Sequence, residues 1–245
     1  MARRLIDISV PLQNDVPADP PGGHPTIQYI DHQQGLPRML QFFDGLKAEY
    51  LPDGQGWAVE MVSLSTHNGT HLDAPWHFHP TMNRGERSWT IDEVPLEWCL
   101  QPGVKLDFRH LPDGYVATAM DVENELKRIG HALSPLEIVV VNTSAGAKYG
   151  RQDYVTSGCG MGYEATMYLL ERGVRLTGID YTYSVNAMRP HCVGISTSEH
   201  AFLNRSTFPI VARLKRPLTR LSRQRVKGCI DGRNLAAAQS MPLPL

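Results

Sequence analysis

The sequence of 245 residues lacks both a long apolar run and an excess of either sign of charge. No apolar run approaches the roughly 20 residues that a membrane-spanning helix needs, and the first residues lack the apolar stretch of a signal peptide. Neither sign of charge dominates, because 24 basic residues oppose 25 acidic ones for a formal net charge of −1. We therefore expect neither a membrane protein nor a protein that binds nucleic acid through its overall charge.

Cysteine is also scarce, with four widely spaced residues and no C-x-x-C pair. In a chain of this size, that pattern is typical of reduced thiols and predicts a cytoplasmic protein without a disulfide framework. No Ser/Gly-rich linker separates two apolar regions, and no internal repeat is evident. We expect a single domain spanning residues 1–245.

The distribution of apolar residues predicts a mixed α/β fold. Strands are expected at 5–10, 57–65, 104–108, 136–141, 174–179 and 208–214, and helices at 121–129, 163–172 and from Ser196 onward. Gly130 and Gly173 follow the first two helices as stop signals. Residues 14–56 are rich in Pro, Gly and Gln, and predict long loops with one short helix near 37–47. A loop region of that length is usually functional or disordered, and a functional one could here be a lid or a subunit contact.

A cluster of histidines carries the main functional signal. Four of the ten histidines, together with one aspartate, fall within thirteen residues as His67, His71, Asp73, His77 and His79. A helix is not expected here, because Asn68-Gly69 is a turn dipeptide and Pro75 would break the next turn. A single histidine is usually a surface or core residue, so the interpretation depends on the group as a whole.

An extended segment brings three of these side chains together. His71 and Asp73 are two positions apart, so on a strand both side chains leave the same face. Along a fully extended chain His67 would lie about 13 Å from His71, so a bend at Gly69 is required. Two imidazoles and a carboxylate then converge, which is the usual ligand set of a catalytic metal site with an open position. His77 follows closely enough to transfer protons instead of binding metal.

The segment from His67 to His77 resembles the motif H-x-G-T-H-x-D-x-P-x-H of the cyclase-like family of metal-dependent hydrolases. That family includes bacterial kynurenine formamidases and isatin hydrolases, and every fixed position of the motif is met. Residues 164–180 resemble the family's helix and strand ending in G-I-D, and residues 200–203 resemble its later H-x-x-L segment. The resemblance runs from about Ser63 to Leu221. It implies a mixed-sheet domain of the swivelling β/β/α cyclase-like fold, and hydrolysis of an amide, lactam, lactone or aryl formamide by a metal-activated water.

The resemblance also implies roles for individual residues. His67, His71 and Asp73 would bind Zn²⁺ or Mn²⁺, and His77 would be the catalytic acid/base. His200 would be a second catalytic residue, as an oxyanion partner or, as in some members, as a ligand of a second ion. The family further implies a small-molecule substrate and a homo-oligomer, either a dimer or a tetramer.

One departure from the family pattern concerns that second ion. The family usually carries Glu twelve residues after the later histidine, and this chain has Ala212 there, which offers no oxygen ligand. A single ion is therefore favoured, unless another group such as Glu199 substitutes. Glu199 is better explained as the acid of a capping box that begins at Ser196.

Several aromatic residues are candidates for binding a planar substrate. Trp76 is the best placed, since it lies between the aspartate and the last histidine of the motif. Trp57 and Phe78 are further candidates, as are Tyr181 and Tyr183. Ordinary core packing explains any one of these rings equally well.

Two other functions stay open. The Ala212 departure makes a divergent reaction credible, namely a metal-dependent lyase or cyclase. Residues 213–227 hold seven basic residues and no acidic one, which would suit a non-enzymatic protein that binds an anion or RNA. A basic stretch is more often a solvated face, and no known nucleic-acid-binding motif accompanies this one.

Overall fold

The computed structural model describes residues 7–19, 22–83 and 85–180 and the backbone of 210–213. The described elements are, in chain order, β1 (Thr26–Ile30), α1 (His32–Phe42), β2 (Val59–Ser63), β3 (His71–Asp73), α2 (Pro75–Phe78), β4 (Thr81–Met82), β5 (Glu86–Arg87), α3 (Leu96–Cys99), β6 (Gly103–Asp107), β7 (Val116–Ala117), α4 (Ala119–Ile129), β8 (Ile138–Asn142), β9 (Gly160–Met161), α5 (Tyr163–Glu171), β10 (Leu176–Ile179) and β11 (Ile210–Arg213). Within these residues, no helix is both long and apolar enough to cross a membrane.

A five-stranded sheet in the order β3-β11-β10-β8-β6 organises the molecule. The last four strands of that order run parallel, and β3 is antiparallel to its neighbour β11. Helix α4 connects β6 to β8, and α5 connects β8 to β10. Every residue of β8 is buried, as expected for an inner strand of a parallel sheet that is covered on both faces. This architecture confirms the mixed α/β class expected from the sequence.

Alternate residues of β8 belong to two different cores, one on each face of the sheet. Val139 and Val141 pack on the side of α4 and α5, in a cluster that includes Leu169. Ile138 and Val140 pack on the other side, in a cluster that includes Ala74, the residue directly after β3. The segment that follows the candidate ligands is thus anchored in a core.

Local signals explain the boundaries of α4. Thr118 and Asp121 form a capping box at its start, and Gly130 ends it with a φ of 63°, a left-handed conformation that glycine adopts without strain. The sequence predicted the glycine stop, and the structure confirms it. The four strands expected between residues 57 and 179 are present, with bounds that differ from the expected ones by at most two residues. The helix expected from Ser196 lies outside the described residues.

The early part of the chain is more ordered than the sequence predicted. β1 pairs antiparallel with β2 over five residues, and α1 begins at His32 behind a capping box of Asp31 and Gln34. The helix predicted near 37–47 was therefore placed too late. The error arose at Pro37, which lies inside α1, although proline usually marks the first turn of a helix.

The strand expected at residues 5–10 is not formed by the described part of that range. Residues 7–10 have no regular structure. The backbone N–H of Val10 donates to Thr70 Oγ1 at 3.1 Å. This hydrogen bond to a side chain, and not pairing with a neighbouring strand, holds the segment against the rest of the protein.

Candidate metal centre

A tight turn connects β2 to β3 and carries the first histidine of the cluster. Within it, the backbone N–H of Asn68 donates to the carbonyl oxygen of Ser65 at 3.0 Å. The N–H of Ser65 in turn donates to Asn68 Oδ1 at 2.8 Å. Gly69 follows with a φ of 65°, which favours glycine. The bend that the sequence required at this glycine is confirmed.

The bend brings His67, His71 and Asp73 together. One potential ligand atom from each residue lies within 4.8 Å of the other two. His67 Nδ1 is 2.7 Å from Asp73 Oδ1, and His71 Nε2 is 3.4 Å from the same oxygen. Two imidazole nitrogens and a carboxylate oxygen are a donor set that Zn²⁺ and similar divalent ions accept in proteins.

The hydrogen bonds of His71 show that its environment fits a cation. Its Nδ1 lies 3.1 Å from the carbonyl oxygen of Gly69, which can only accept, so Nδ1 carries the proton. The other nitrogen, Nε2, then presents a lone pair towards Asp73, and it is buried without a hydrogen bond. Burying a polar atom in this way is costly. A divalent cation would satisfy both groups, and a carbonyl that orients a metal-binding imidazole is the usual outer support.

His77 lies beside His67, one of these three residues. Pro75 occupies the first turn of the short helix α2, a position where its missing N–H costs nothing. One turn of helix then brings the ring of His77 against the ring of His67, with 4.1 Å between centroids. His77 is exposed, so it is accessible to a molecule that approaches the centre from solvent.

The structure separates the three aromatic candidates. The ring of Phe78 contacts that of His77 with 4.9 Å between centroids, and Trp76 on the same helix is 50% exposed. Both lie next to the candidate acid/base. Trp57 packs instead against Phe42 and Phe43, with ring centroids 5.9 and 5.8 Å away, which is the packing role that the sequence left open.

The remaining predicted residues fall elsewhere. His79 Nδ1 lies 2.8 Å from the carbonyl oxygen of Thr81, so this histidine shapes the turn after α2. The candidates that lie outside the described residues are Tyr181, Tyr183, Glu199 and His200.

Ala212, the residue for which the expectation of a single ion was framed, lies in β11. Its backbone is paired with Leu72, whereas His71 and Asp73 are paired with Arg213 and Val211. The expectation of a single ion stays a prediction.

Sequence reasoning gave no role to a second buried polar group, which follows the central strand β10. Asp180, directly after β10, accepts hydrogen bonds from Thr143 N–H at 2.9 Å, Thr143 Oγ1 at 2.8 Å and Asn142 Nδ2 at 2.6 Å. Burial raises the pKa of Asp180 to about 6. Gly146 packs so closely on its carboxylate that a Cβ would not fit. The available signal was an acidic residue directly after an apolar strand.

Comparison with known proteins places these features in a family. A family model described as putative cyclase matches residues 6–185. No match was found among curated protein sequences.

Several solved structures share the fold. Isatin hydrolase A from Ralstonia solanacearum is 20% identical over 90% of this chain and 82% of that chain, with a TM-score of 0.65. Isatin hydrolase A from Labrenzia aggregata, bound to benzyl benzoate, is 19% identical over 89% of this chain and 83% of that one, with a TM-score of 0.64. A protein described as a predicted metal-dependent hydrolase from Bacillus stearothermophilus is 17% identical over 91% and 86%, with a TM-score of 0.53.

At these identities, the structures establish a common fold and not a common substrate. The family model, by contrast, extends over well more than half of the chain and includes the whole segment from His67 to His77. This chain therefore belongs to the putative cyclase family.

Proposed function

We propose that this protein is a metal-dependent hydrolase that cleaves an amide, lactam, lactone or aryl formamide bond in a small molecule. The observation that carries the proposal is the buried Nε2 of His71, which faces Asp73 without a hydrogen bond. A histidine with a purely structural role would have both nitrogens satisfied. The isatin hydrolases and metal-dependent hydrolase of the same fold support this interpretation.

His67, His71 and Asp73 are the proposed ligands of one Zn²⁺ or Mn²⁺ ion. Bound there, the ion would polarise a carbonyl oxygen and lower the pKa of a coordinated water towards about 7. With two neutral imidazoles and one carboxylate as ligands, a divalent ion would keep a net positive charge. It would therefore still be able to polarise a carbonyl oxygen. The sheet holds His71 and Asp73 on β3, and the turn supplies His67.

His77 is the proposed proton carrier. Imidazole exchanges protons near neutral pH, and the exposed ring of His77 lies beside the ligand set and outside it. From there it takes a proton from the attacking water and donates one to the departing nitrogen or oxygen. Trp76 and Phe78 offer apolar surface next to His77, which suits a substrate with a flat aromatic part.

Metal analysis and a substrate panel test this proposal together. The purified protein should hold about one divalent ion per chain and hydrolyse at least one of an aryl formamide, isatin or a small lactone. Chelation should abolish the activity, and Zn²⁺ or Mn²⁺ should restore it. Full activity after exhaustive dialysis against a chelator would contradict the mechanism. A metal-loaded protein that hydrolyses nothing would instead favour the lyase or cyclase alternative.

The region of β1, α1 and β2 supports a subunit contact, and we propose a homo-oligomer on this basis. Phe42 and Tyr29 are 71% and 59% exposed, and Met61 and Val62 are about half exposed. Met61 and Val62 are adjacent on β2, so their side chains leave opposite faces of a two-stranded ribbon. Such ribbons are marginal alone, and exposed apolar patches commonly mark interfaces. Sedimentation equilibrium distinguishes a dimer or tetramer from a monomer.

The alternative of anion or RNA binding depends on residues 213–227. Apart from the backbone of Arg213, this stretch lies outside the described residues, and it stays a prediction. Nucleic acid that fails to bind at low salt would dispose of it, since such binding strengthens as salt is lowered.

A further inference from the structure

The turn between the two ligand histidines is fastened to the amino-terminal part of the chain at two points. Asn68 Nδ2 donates to the carbonyl oxygen of Gly23 at 2.6 Å. Two residues later, Thr70 Oγ1 accepts from the backbone N–H of Val10 at 3.1 Å. Both contacts join residues more than 40 positions apart in the sequence. The turn is therefore held by distant parts of the chain as well as by its own hydrogen bonds.

Gly69 lies between these two points and packs directly on the same amino-terminal segment. A Cβ at this position would lie 2.7 Å from Leu12 Cδ2, closer than two carbons can approach. The turn thus contacts the segment at three consecutive residues, two by hydrogen bonds and one by close packing.

Asn68 uses both ends of its side-chain amide. The oxygen accepts from Ser65 N–H within the turn at 2.8 Å, and the nitrogen donates to Gly23 across it at 2.6 Å. The residue is only 7% exposed, so neither bond competes with bulk water. An aspartate would lack the donor, and an alanine would lack both groups.

His67 is the ligand whose position depends most on this turn. His71 and Asp73 lie on β3, where pairing with β11 fixes their backbone. His67 lies in no strand or helix, and its backbone N–H donates to Ser65 Oγ at 3.2 Å, within the same turn. Because Asn68 follows His67 directly, a turn released from Gly23 would let His67 move away from Asp73.

We infer that Asn68 is a positioning residue for the metal centre, whose amide fastens the turn to Gly23 and holds His67 where it can share an ion with His71 and Asp73. The inference rests on the proposed function, because it takes these three residues as metal ligands. Loss of an outer group that orients a ligand typically weakens metal binding by about 10–100-fold. Turnover at saturating metal should change little, because no role in contacting substrate falls to Asn68.

The experiment compares Asn68→Ala with a matched control, Asn14→Ala. Asn14 makes the same pair of bonds with its amide, donating to Ile27 O at 2.8 Å and accepting from Ile27 N–H at 2.7 Å, but outside the turn. Co²⁺ is titrated into the metal-free full-length wild type and both variants, by calorimetry and by the visible absorption of the bound ion. Thermal unfolding without metal is recorded for each protein.

The inference predicts a Kd for Co²⁺ about 10–100-fold higher in Asn68→Ala and unchanged in Asn14→Ala. Equal affinity in Asn68→Ala and wild type would overturn it and leave the proposed function intact. Equal losses in both variants would also overturn it, because general loosening would then be the cause. If the wild type binds no Co²⁺, the proposed function fails and the inference fails with it. If Asn68→Ala does not fold, Asn68→Ser is measured in its place, and the same rise in the Kd for Co²⁺ is expected.

Discussion

Two buried carboxylates, Asp73 on β3 and Asp180 directly after β10, differ in what surrounds them. Asp180 accepts three hydrogen bonds from Asn142 and Thr143. Asp73 instead faces two imidazole nitrogens, and the one from His71 is buried without a hydrogen bond. Hydrogen-bond donors of Asn142 and Thr143 surround the first carboxylate, whereas the second faces ring nitrogens that can bind a metal. The partners of a buried acid, and not its burial alone, therefore indicate whether it supports the fold or binds a cation.

His71→Ala should have the largest effect, because it removes the ligand with the orphaned nitrogen. Bound metal should fall to background, and kcat/KM should fall by about a thousandfold, since a metal ion supplies several kcal/mol of stabilisation to the transition state. Metal analysis and steady-state kinetics on the same preparation measure both. His79→Ala is the control, since its ring bonds Thr81 outside the ligand set. If His71→Ala kept the metal content of the wild type, Asp73 and His71 would not form a metal site, and the proposed difference between Asp73 and Asp180 would be wrong.

His77→Ala should lower kcat by about a hundredfold or more while leaving bound metal near the wild-type amount. The ring lies beside His67 and not within the ligand set, so it moves protons without holding the ion. Loss of metal from this variant would instead indicate that His77 is a further ligand of the ion.

Asp180→Asn should change the pH dependence of stability and not the metal content. The pKa of Asp180 is raised by burial from 3.8 to about 6, so the folded state binds this proton more tightly than the unfolded state. Its contribution to the free energy of unfolding is full below about pH 4 and declines as pH rises through about 6, by about 2–3 kcal/mol in total. Urea unfolding between pH 4 and 8 should show this decline in the wild type and a flatter dependence in the variant. Identical pH slopes in the two proteins would contradict the assignment.

Trp76→Ala should have the smallest effect, raising KM a few-fold without changing the metal content. Aromatic contacts contribute about 0.5–1.5 kcal/mol beyond the area that they bury. Trp57→Ala is the contrasting variant, because its ring packs on Phe42 and Phe43. It should lower the melting temperature and leave KM unchanged. A raised KM in Trp57→Ala, with a lowered melting temperature in Trp76→Ala, would instead assign substrate contact to Trp57 and packing to Trp76.

The sequence predicted elements and contacts that local rules control. The end of α4 at Gly130 and the bend at Gly69 both follow from a few neighbouring residues. The convergence of His71 and Asp73 follows from the two-residue period of a strand.

What the sequence did not predict is mostly non-local. Asp180 meets Thr143 from 37 residues away, and Asn68 meets Gly23 from 45 residues away. No short pattern encodes such pairs, since they depend on how the elements pack. The start of α1 is different, because the capping box of Asp31 and Gln34 was visible in the sequence and Pro37 outweighed it.

The antiparallel strand β3 has a consequence for the order in which the molecule is made. Its partner β11 begins only at Ile210, so a chain emerging from the ribosome contains every proposed ligand long before it contains the strand that pairs with His71 and Asp73. Contacts between distant parts of a chain form late, because closing a long loop costs entropy first. The proposed ligands therefore reach their final geometry, and can bind metal in it, only after β11 has been synthesised and has paired with β3.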